Sequence, residues 1–133
     1  MNNSILNYFK KNKYGLIFIC VVLLGIVPFY INAKIKYNEI QKNGKIGIGK
    51  FVEYERKPKT RNYYFEYYNK NKKIRDLIKN PPDGFHKNVG SFYKIKYLDK
   101  YENIIVDFDE KITDTVAILK AGFSKEDIAN MPK

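Results

Sequence analysis

Side chains with catalytic or metal-binding potential are few and scattered in this sequence. His86 is the only histidine and lies in a loop rich in proline and glycine, without the partners that a metal site or a general base requires. The glycine-containing segment of residues 44–50 begins a strand and lacks the Gly-Lys-Ser/Thr ending of a phosphate-binding loop. The single cysteine, Cys20, lies inside an apolar run. We therefore predict a protein that is not an enzyme and that uses no metal or cofactor.

Three carboxylates near the end of the strand region were considered as a cation or acid–base site. Asp107 and Asp109 would share one face of a strand, with Glu110 beside them. The simpler interpretation, which we favour, is the solvent face of an edge strand next to a basic neighbour.

An aromatic strand at residues 62–69 offers a better candidate for binding. Tyr64 and Tyr68 share a face with Glu66, whereas the alternate aromatic residues fill the other face. Exposed aromatic rings among lysines can stack nucleic-acid bases, and interfaces with proteins also favour tyrosine. The alternative is that C-terminal helices half cover this face, and Glu66 argues against nucleic acid. The candidate binding residues are Tyr64, Tyr68, Lys70, Lys72, Lys73, Lys94 and Lys96.

The net charge of +11 is unevenly distributed along the 133 residues. Residues 34–100 hold 18 basic and seven acidic side chains, whereas residues 101–133 hold four and seven. A basic surface attracts lipid head groups, nucleic acid or acidic proteins. Only Arg56, Arg61 and Arg75 are arginines, although bidentate recognition of phosphate favours arginine over lysine. We therefore favour a solvated basic surface over a dedicated anion-binding one.

A membrane anchor is predicted at residues 14–33, which contain no charged side chain. A helix of that length covers about 30 Å, the thickness of the hydrocarbon layer. Tyr14 and Tyr30 lie where aromatic belts form, residues 1–13 form a basic tail, and the helix has room to extend to residue 43. We favour an uncleaved anchor over a signal peptide because residues 31–33 make a poor cleavage site.

The orientation of this anchor is less sharply marked. Lysines flank the apolar run on both sides, so the positive-inside rule gives no clear asymmetry. A short basic tail followed at once by the apolar run resembles a signal-anchor. We therefore expect a single-pass protein of the inner (cytoplasmic) membrane with its C-terminal domain outside the cytoplasm, and the opposite orientation stays open.

The soluble domain, residues 45–133, is predicted to be mainly β. Alternation and turn residues place strands at residues 46–55, 62–69, 74–79, 92–98 and 103–108. Helices follow from about residue 114, and Ser124 with Asp127 fits a capping box. Short strands with tight connections favour a five-stranded antiparallel barrel of SH3-like or OB-like type. The second choice is a bent sheet covered by the short C-terminal helical segment.

Three segments of the domain carry a resemblance to a known group of proteins. The opening strand at residues 45–54, the aromatic run at residues 63–68 and Gly90–Tyr97 together resemble bacterial membrane-anchored β domains of unknown function. The resemblance covers about residues 45–110. This chain departs from the group because Ser91, not an acidic residue, follows Gly90, and because the strand ending at Tyr97 lacks an Asp-Pro-x-x-Pro ending. The resemblance implies a tethered β domain without catalytic residues, and similar small anchored proteins occur among immunity partners of toxins.

The sequence therefore leaves three functional hypotheses. The first is a non-catalytic, membrane-anchored interaction module at the cell envelope that binds another protein, with an immunity protein that binds a toxin as its specific form. The second is a cytoplasm-facing OB-like barrel that binds single-stranded nucleic acid. In the third, the basic surface lies on anionic lipid beside the anchor.

Overall fold

The computed structural model describes residues 3–132. These residues belong to two compact units that divide between Tyr37 and Asn38. The first unit contains helix α1 (Asn3–Lys11) and most of helix α2 (Lys13–Asn43). The second unit begins with the last turns of α2 and contains all the strands.

Within the described residues, α2 is the one helix that is long and apolar enough to span a membrane. It runs through Pro28 without ending, and none of the residues from 14 to 33 is buried. Phe29 and Leu24, for example, are 81% and 74% exposed. A buried helix in the core of a soluble protein would hide such side chains, so that explanation of the apolar run does not apply to α2.

The second unit is built on a five-stranded antiparallel sheet. Its strands are β1 (Lys45–Arg56), β2 (Arg61–Asn69), β3 (Lys72–Ile78), β4 (Phe92–Tyr97) and β5 (Ile104–Ile112). They are arranged in the order β3-β2-β1-β4-β5, which leaves β3 and β5 at the two edges. The mainly β fold and the antiparallel sheet with short C-terminal helices are thus confirmed.

The predicted barrel is wrong in that the sheet is not closed. Where a ladder between β3 and β5 would begin, the backbone N–H of Ile104 donates to the Asp76 carboxylate at 3.0 Å. A side chain therefore takes the hydrogen bond that a closing strand would need.

The inner face of the sheet carries an aromatic core. Phe51 is fully buried and its ring lies 5.4 Å from that of Phe65 and 4.8 Å from that of Phe85. Phe85 comes from a short 3₁₀ helix, Phe85–Asn88, in the connection of residues 79–91 between β3 and β4, which we call the proline loop. The loop thus contributes to the core through one buried ring.

Strand β1 has two irregular features, the glycines near its start and a change of register near its end. A Cβ on Gly47 would lie 2.7 Å from the ring of Tyr97, so glycine allows close approach to β4. The ladder with β2 slips between Phe51 and Glu53, which leaves Val52 as an extra residue. Tyr54 therefore packs on the same inner core as Phe51, and the simple alternation predicted for β1 does not continue past Val52.

A second cluster forms on the outer face, under α3 (Thr115–Lys120) and α4 (Lys125–Ala129). Phe92 of β4 packs there with Ile118 and Phe123. Ser124 and Asp127 form the predicted capping box, with Asp127 N–H donating to Ser124 Oγ at 3.1 Å. The cap fixes the first turn of a helix that is too short to be stable alone.

The end of α2 belongs to this domain. Ile40 is 1% exposed, and Tyr101 Oη donates to Glu39 Oε2 at 2.7 Å. Lys96 Nζ donates to the carbonyl of Gln41 at 3.1 Å, one of the carbonyls that a helix end leaves without a partner. Residues 38–43 are therefore held to the strands by packing and by hydrogen bonds.

Candidate interaction surfaces

The seven residues predicted to bind a partner do not form one surface. Tyr64 lies on the part of the outer sheet face that the C-terminal helices leave open, and Tyr68 lies under those helices. The exposed Lys73 is opposite Tyr68, with its Nζ 5.8 Å from the centre of the Tyr68 ring, at the boundary between the two parts. Lys70 and Lys72 lie at the β2–β3 turn, close to Asp99 and Glu102 respectively. The other two, Lys94 and Lys96, lie on β4, where Lys94 is opposite Asp107 and Lys96 binds the end of α2.

Tyr68 contributes to packing within the domain. Its ring meets that of Phe123 edge-on at 5.2 Å, and Gly122 approaches the same ring so closely that a Cβ would lie 2.9 Å from it. The alternative that the C-terminal helices cover this part of the strand therefore describes Tyr68. Part of the ring surface that a base would stack on is therefore already used within the domain.

Tyr64 lies on a surface that we call the charged sheet face. The guanidinium of Arg75 lies 4.4 Å from the centre of the Tyr64 ring, a cation–π contact across the β2–β3 ladder. The Tyr64 hydroxyl donates to Glu55 at 3.4 Å. The charged sheet face consists of Glu53, Glu55, Tyr64, Glu66, Lys73 and Arg75.

Opposite charges alternate across this face. Arg75 forms an ion pair with Glu53 and a longer one, 3.9 Å, with Glu66. Lys73 lies 3.5 Å from Glu66, whose charge raises the pKa of that lysine. Each described cation on the face therefore has a carboxylate partner, and the ladders of β2 with β1 and with β3 hold the strands that carry the set.

A second group of cations lies around the turns near the start of β1, and we call it the paired-lysine end. It consists of Lys45, Lys70, Lys72 and Lys100. Lys45 and Lys70 both approach Asp99, at 2.8 Å and 3.6 Å. The hydrogen bond from Lys45 lowers the pKa of Asp99. Lys72 lies 3.9 Å from Glu102, and Lys100 forms an ion pair with Glu39. The positive charge at this end is thus largely compensated.

A third group, which we call the basic hairpin, lies at the turn between β1 and β2. It consists of Arg56, Lys57, Lys59 and Arg61. These residues line a depression of about 470 Å³ together with part of the proline loop. The Arg-Lys-Pro-Lys-Thr-Arg run concentrates two of the three arginines in six residues, a local signal that sequence reasoning missed.

The three carboxylates of β5 do not make an obvious cation site. The β4–β5 ladder slips between Tyr93 and Lys94, so residues 108–110 have no partners in the register. Asp107 and Asp109 alternate with the inward-facing Val106 and Phe108, as predicted, but Asp109 N–H donates to Asp107 Oδ1 at 3.1 Å, so part of this carboxylate is already used within the strand. Among the described residues no group of histidine, cysteine and acidic side chains is arranged to hold a metal ion.

Comparison of the chain with family models, with curated proteins and with solved structures gave no match. The resemblance to anchored bacterial β domains therefore stays a prediction.

Proposed function

We propose that this protein is a non-catalytic, membrane-anchored interaction domain that binds another protein through the charged sheet face. The observation that carries the proposal is the stacked pair of Tyr64 and Arg75 on a sheet surface that the C-terminal helices leave open. Tyrosine and arginine are over-represented among the residues that dominate binding energy at protein interfaces.

The surroundings of this pair support binding to a protein. Glu53 and Glu66 hold the Arg75 side chain, so it would lose little conformational freedom when a partner binds. A mixed set of acids and bases can match the mixed charges of a protein surface and selects its partner by complementarity.

Single-stranded nucleic acid is the less favoured ligand for the same face. A base-stacking platform combines open aromatic rings with cations that are free to meet the phosphates. Here Arg75 covers a face of Tyr64, Phe123 packs on Tyr68, and Glu66 is paired with Lys73. Carboxylates at those positions would repel the nucleic-acid backbone.

The membrane part of the proposal rests on the length of α2 and on the exposure of its apolar residues. The specific form of the proposal makes three statements. Helix α2 is an uncleaved single-pass anchor in the cytoplasmic membrane, and the domain lies outside the cytoplasm. The partner is a toxin that the chain neutralises.

Orientation is tested by placing one cysteine in the exposed β4–β5 turn. The variant combines Asn103→Cys with Cys20→Ser, and intact cells are treated with a membrane-impermeant maleimide. Labelling before lysis of the cytoplasmic membrane is the expected result. Labelling only after lysis would place the domain in the cytoplasm and remove the extracytoplasmic form of the proposal.

The protein-binding proposal is tested by photocrosslinking of the full chain in its native membrane. A benzophenone amino acid replaces Tyr64 in one variant and the exposed Val116 of α3 in the control. We expect a discrete protein adduct from position 64 that is weakened when Arg75→Glu is added, and none from position 116. Equal adducts at both positions, or none at 64, would remove the charged sheet face as the binding surface.

A further inference from the structure

The basic hairpin combines features that the fold alone does not require. Arg56 and Arg61 are direct partners at the last position of the β1–β2 ladder. Directly opposite residues in an antiparallel pair have Cβ atoms about 4.5–5.5 Å apart, and like charges at that distance destabilise the hairpin. A neutral residue at either position would serve the sheet better.

These cations have little compensation from acidic side chains. In the part of the chain that the structure describes, Arg56, Lys59 and Arg61 form no ion pair, and Lys57 lies 3.2 Å from Glu55. Asp83, in the proline loop, is the one carboxylate among the residues that line the depression. Four cations therefore share one concave site with a single lining acid.

The backbone of the hairpin holds the four cationic residues close together. Lys57 N–H donates to the carbonyl of Thr60 at 2.8 Å and closes the turn, and Pro58 fixes a backbone torsion between the two lysines. By register Arg56 and Arg61 lie on the same face of the hairpin as Tyr63, the side toward the proline loop that forms the opposite wall of the depression. The backbone that carries the four cations is thus in place before a ligand arrives.

We propose that the basic hairpin, through Arg56, Lys57, Lys59 and Arg61, is a binding site for a phosphate group. A phosphate monoester carries a charge of about −1.5 to −2 and three strong acceptor oxygens, so one group can satisfy several cations at once. Arginine forks match its oxygens bidentately. A single carboxylate carries only one negative charge and would leave at least one of the two opposed arginines uncompensated. This inference does not depend on the proposed protein partner or on the charged sheet face.

The position of the site separates it from the other basic group. β1 runs from Lys45 at the paired-lysine end to Arg56 at the hairpin. At roughly 3.3 Å per residue, that strand covers about 36 Å. The two groups therefore lie at opposite ends of the domain, and the uncompensated charge is at the hairpin.

The test measures binding of inorganic tripolyphosphate to the full chain in neutral dodecyl maltoside micelles by titration calorimetry. Sodium chloride of equal ionic strength serves as the screening control. We expect binding that falls by about tenfold or more in the double variant Arg56→Gln/Arg61→Gln, because charge-assisted hydrogen bonds are lost. The double variant Lys120→Gln/Lys125→Gln removes the same total charge from exposed positions on α3 and α4 and should bind like the wild type.

A second variant and a second arm of the experiment make the test decisive. Arg61→Thr should raise the melting temperature without ligand, because it relieves the opposed charges, and should weaken tripolyphosphate binding. To separate the sources of the phosphate, the chain in phosphatidylcholine nanodiscs is mixed with vesicles that contain phosphatidic acid or phosphatidylcholine alone. Arginine-dependent binding to the phosphatidic-acid vesicles indicates a lipid head group, and its absence alongside tripolyphosphate binding indicates a free phosphorylated ligand.

Three results would overturn the proposal. The arginine double variant could bind tripolyphosphate as well as the wild type does, or the lysine control could lose binding equally. Tighter binding of a polyglutamate of matched charge would assign the hairpin to an acidic protein instead of a phosphate group.

Discussion

Tyr64 and Tyr68 occupy the same face of the same strand, four residues apart, but their surroundings differ. Tyr68 packs against Phe123 and Gly122 of the C-terminal segment, whereas Tyr64 is stacked with Arg75 on the charged sheet face. We call the part of the outer face under α3 and α4 the covered half. The comparison shows that strand alternation selects a face, and that a distant part of the chain then decides how much of that face remains open.

The ion pairs of Lys50 and Arg75 show the same contrast between the covered half and the charged sheet face. Lys50, in the covered half, is 7% exposed, lies 3.4 Å from Asp127 of α4 and approaches the ring of Phe92. Arg75, on the charged sheet face, pairs with Glu53 while both side chains remain about half exposed. The first pair holds a helix to the sheet, whereas the second lies at the surface, where water screens it.

The largest effect is expected from Asp127→Ala in the covered half. The substitution removes the capping box and leaves the charge of Lys50 without its partner. A free energy of unfolding lower by about 2–4 kcal/mol follows from the lost cap and the unpaired, mostly buried ammonium. Thermal melting of the full chain in micelles, followed by near-ultraviolet circular dichroism of the tyrosines, measures the loss.

Asp114→Ala is the matched control for that experiment. Asp114 caps α3 by accepting from the N–H groups of Val116 and Ala117, and no lysine among residues 3–132 forms an ion pair with it. It should cost about 1 kcal/mol, the value of a cap alone. Equal losses for the two variants would mean that the Lys50 contact contributes nothing.

Gly122→Ala is expected to have the next largest effect. Gly122 has a φ of 110°, and its new Cβ would lie 2.9 Å from the Tyr68 ring. The backbone strain and the contact together should lower the free energy of unfolding by about 1–3 kcal/mol. The matched control is Gly84→Ala, where φ is also positive at 76° but no heavy atom lies within 4 Å.

A double-mutant cycle separates the contact from the strain. In a Tyr68→Ala background, the cost of Gly122→Ala should fall to that of Gly84→Ala. An unchanged cost would show that the Tyr68 ring does not limit this position and would weaken the contrast between the two tyrosines.

The pair of Asp127 and Lys50 in the covered half should also make stability depend on pH. Burial raises the pKa of Asp127, but hydrogen bonds from Ser124 and the charge of Lys50 outweigh it, so the pKa lies below its usual value of 3.8. A lowered folded-state pKa contributes stability that is present above the unfolded value and is lost as the pH falls through the folded value.

The stability difference between the wild type and Asp127→Asn should therefore be constant above about pH 5 and shrink as the pH is lowered below 3.8. Melting temperatures measured from pH 7 to pH 2.5 check this. A difference that persists unchanged at pH 2.5 would assign the effect to the shape of the cap and not to its charge.

The sequence predicts the features of this fold that depend on neighbouring residues and misses those that depend on distant ones. The apolar helix, the five strands and the Ser124 capping box follow from local patterns, since each depends on neighbouring residues. The bulge at Val52 and the absence of closure depend on pairing between distant segments. The N–H of Ile104 donates to Asp76, 28 residues earlier in the chain, and no periodicity encodes that contact.

The candidate surfaces also combine local patterns, which the sequence shows, with contacts between distant residues, which it does not. The sequence indicated Tyr64 through its alternation, but it could not assign carboxylate partners to Lys70, Lys72 and Lys73. A count of lysines therefore overstated the charge available at those positions. The basic hairpin was readable as a local run of cations, but its significance depends on the register that places Arg56 opposite Arg61.

The smallest effect on stability is expected from Arg75→Gln on the charged sheet face. Exposed ion pairs contribute about 0–1 kcal/mol, so the melting temperature should change by only a few degrees. If Tyr64 and Arg75 serve a partner, the same substitution should sharply weaken the adduct from a crosslinker at position 64, because a desolvated arginine is worth far more at an interface than on a free surface. The ratio of the two effects decides the role of the face. A large loss of stability with an unchanged adduct would make the Arg75 pairs structural, like that of Lys50, and the distinction between the halves would disappear.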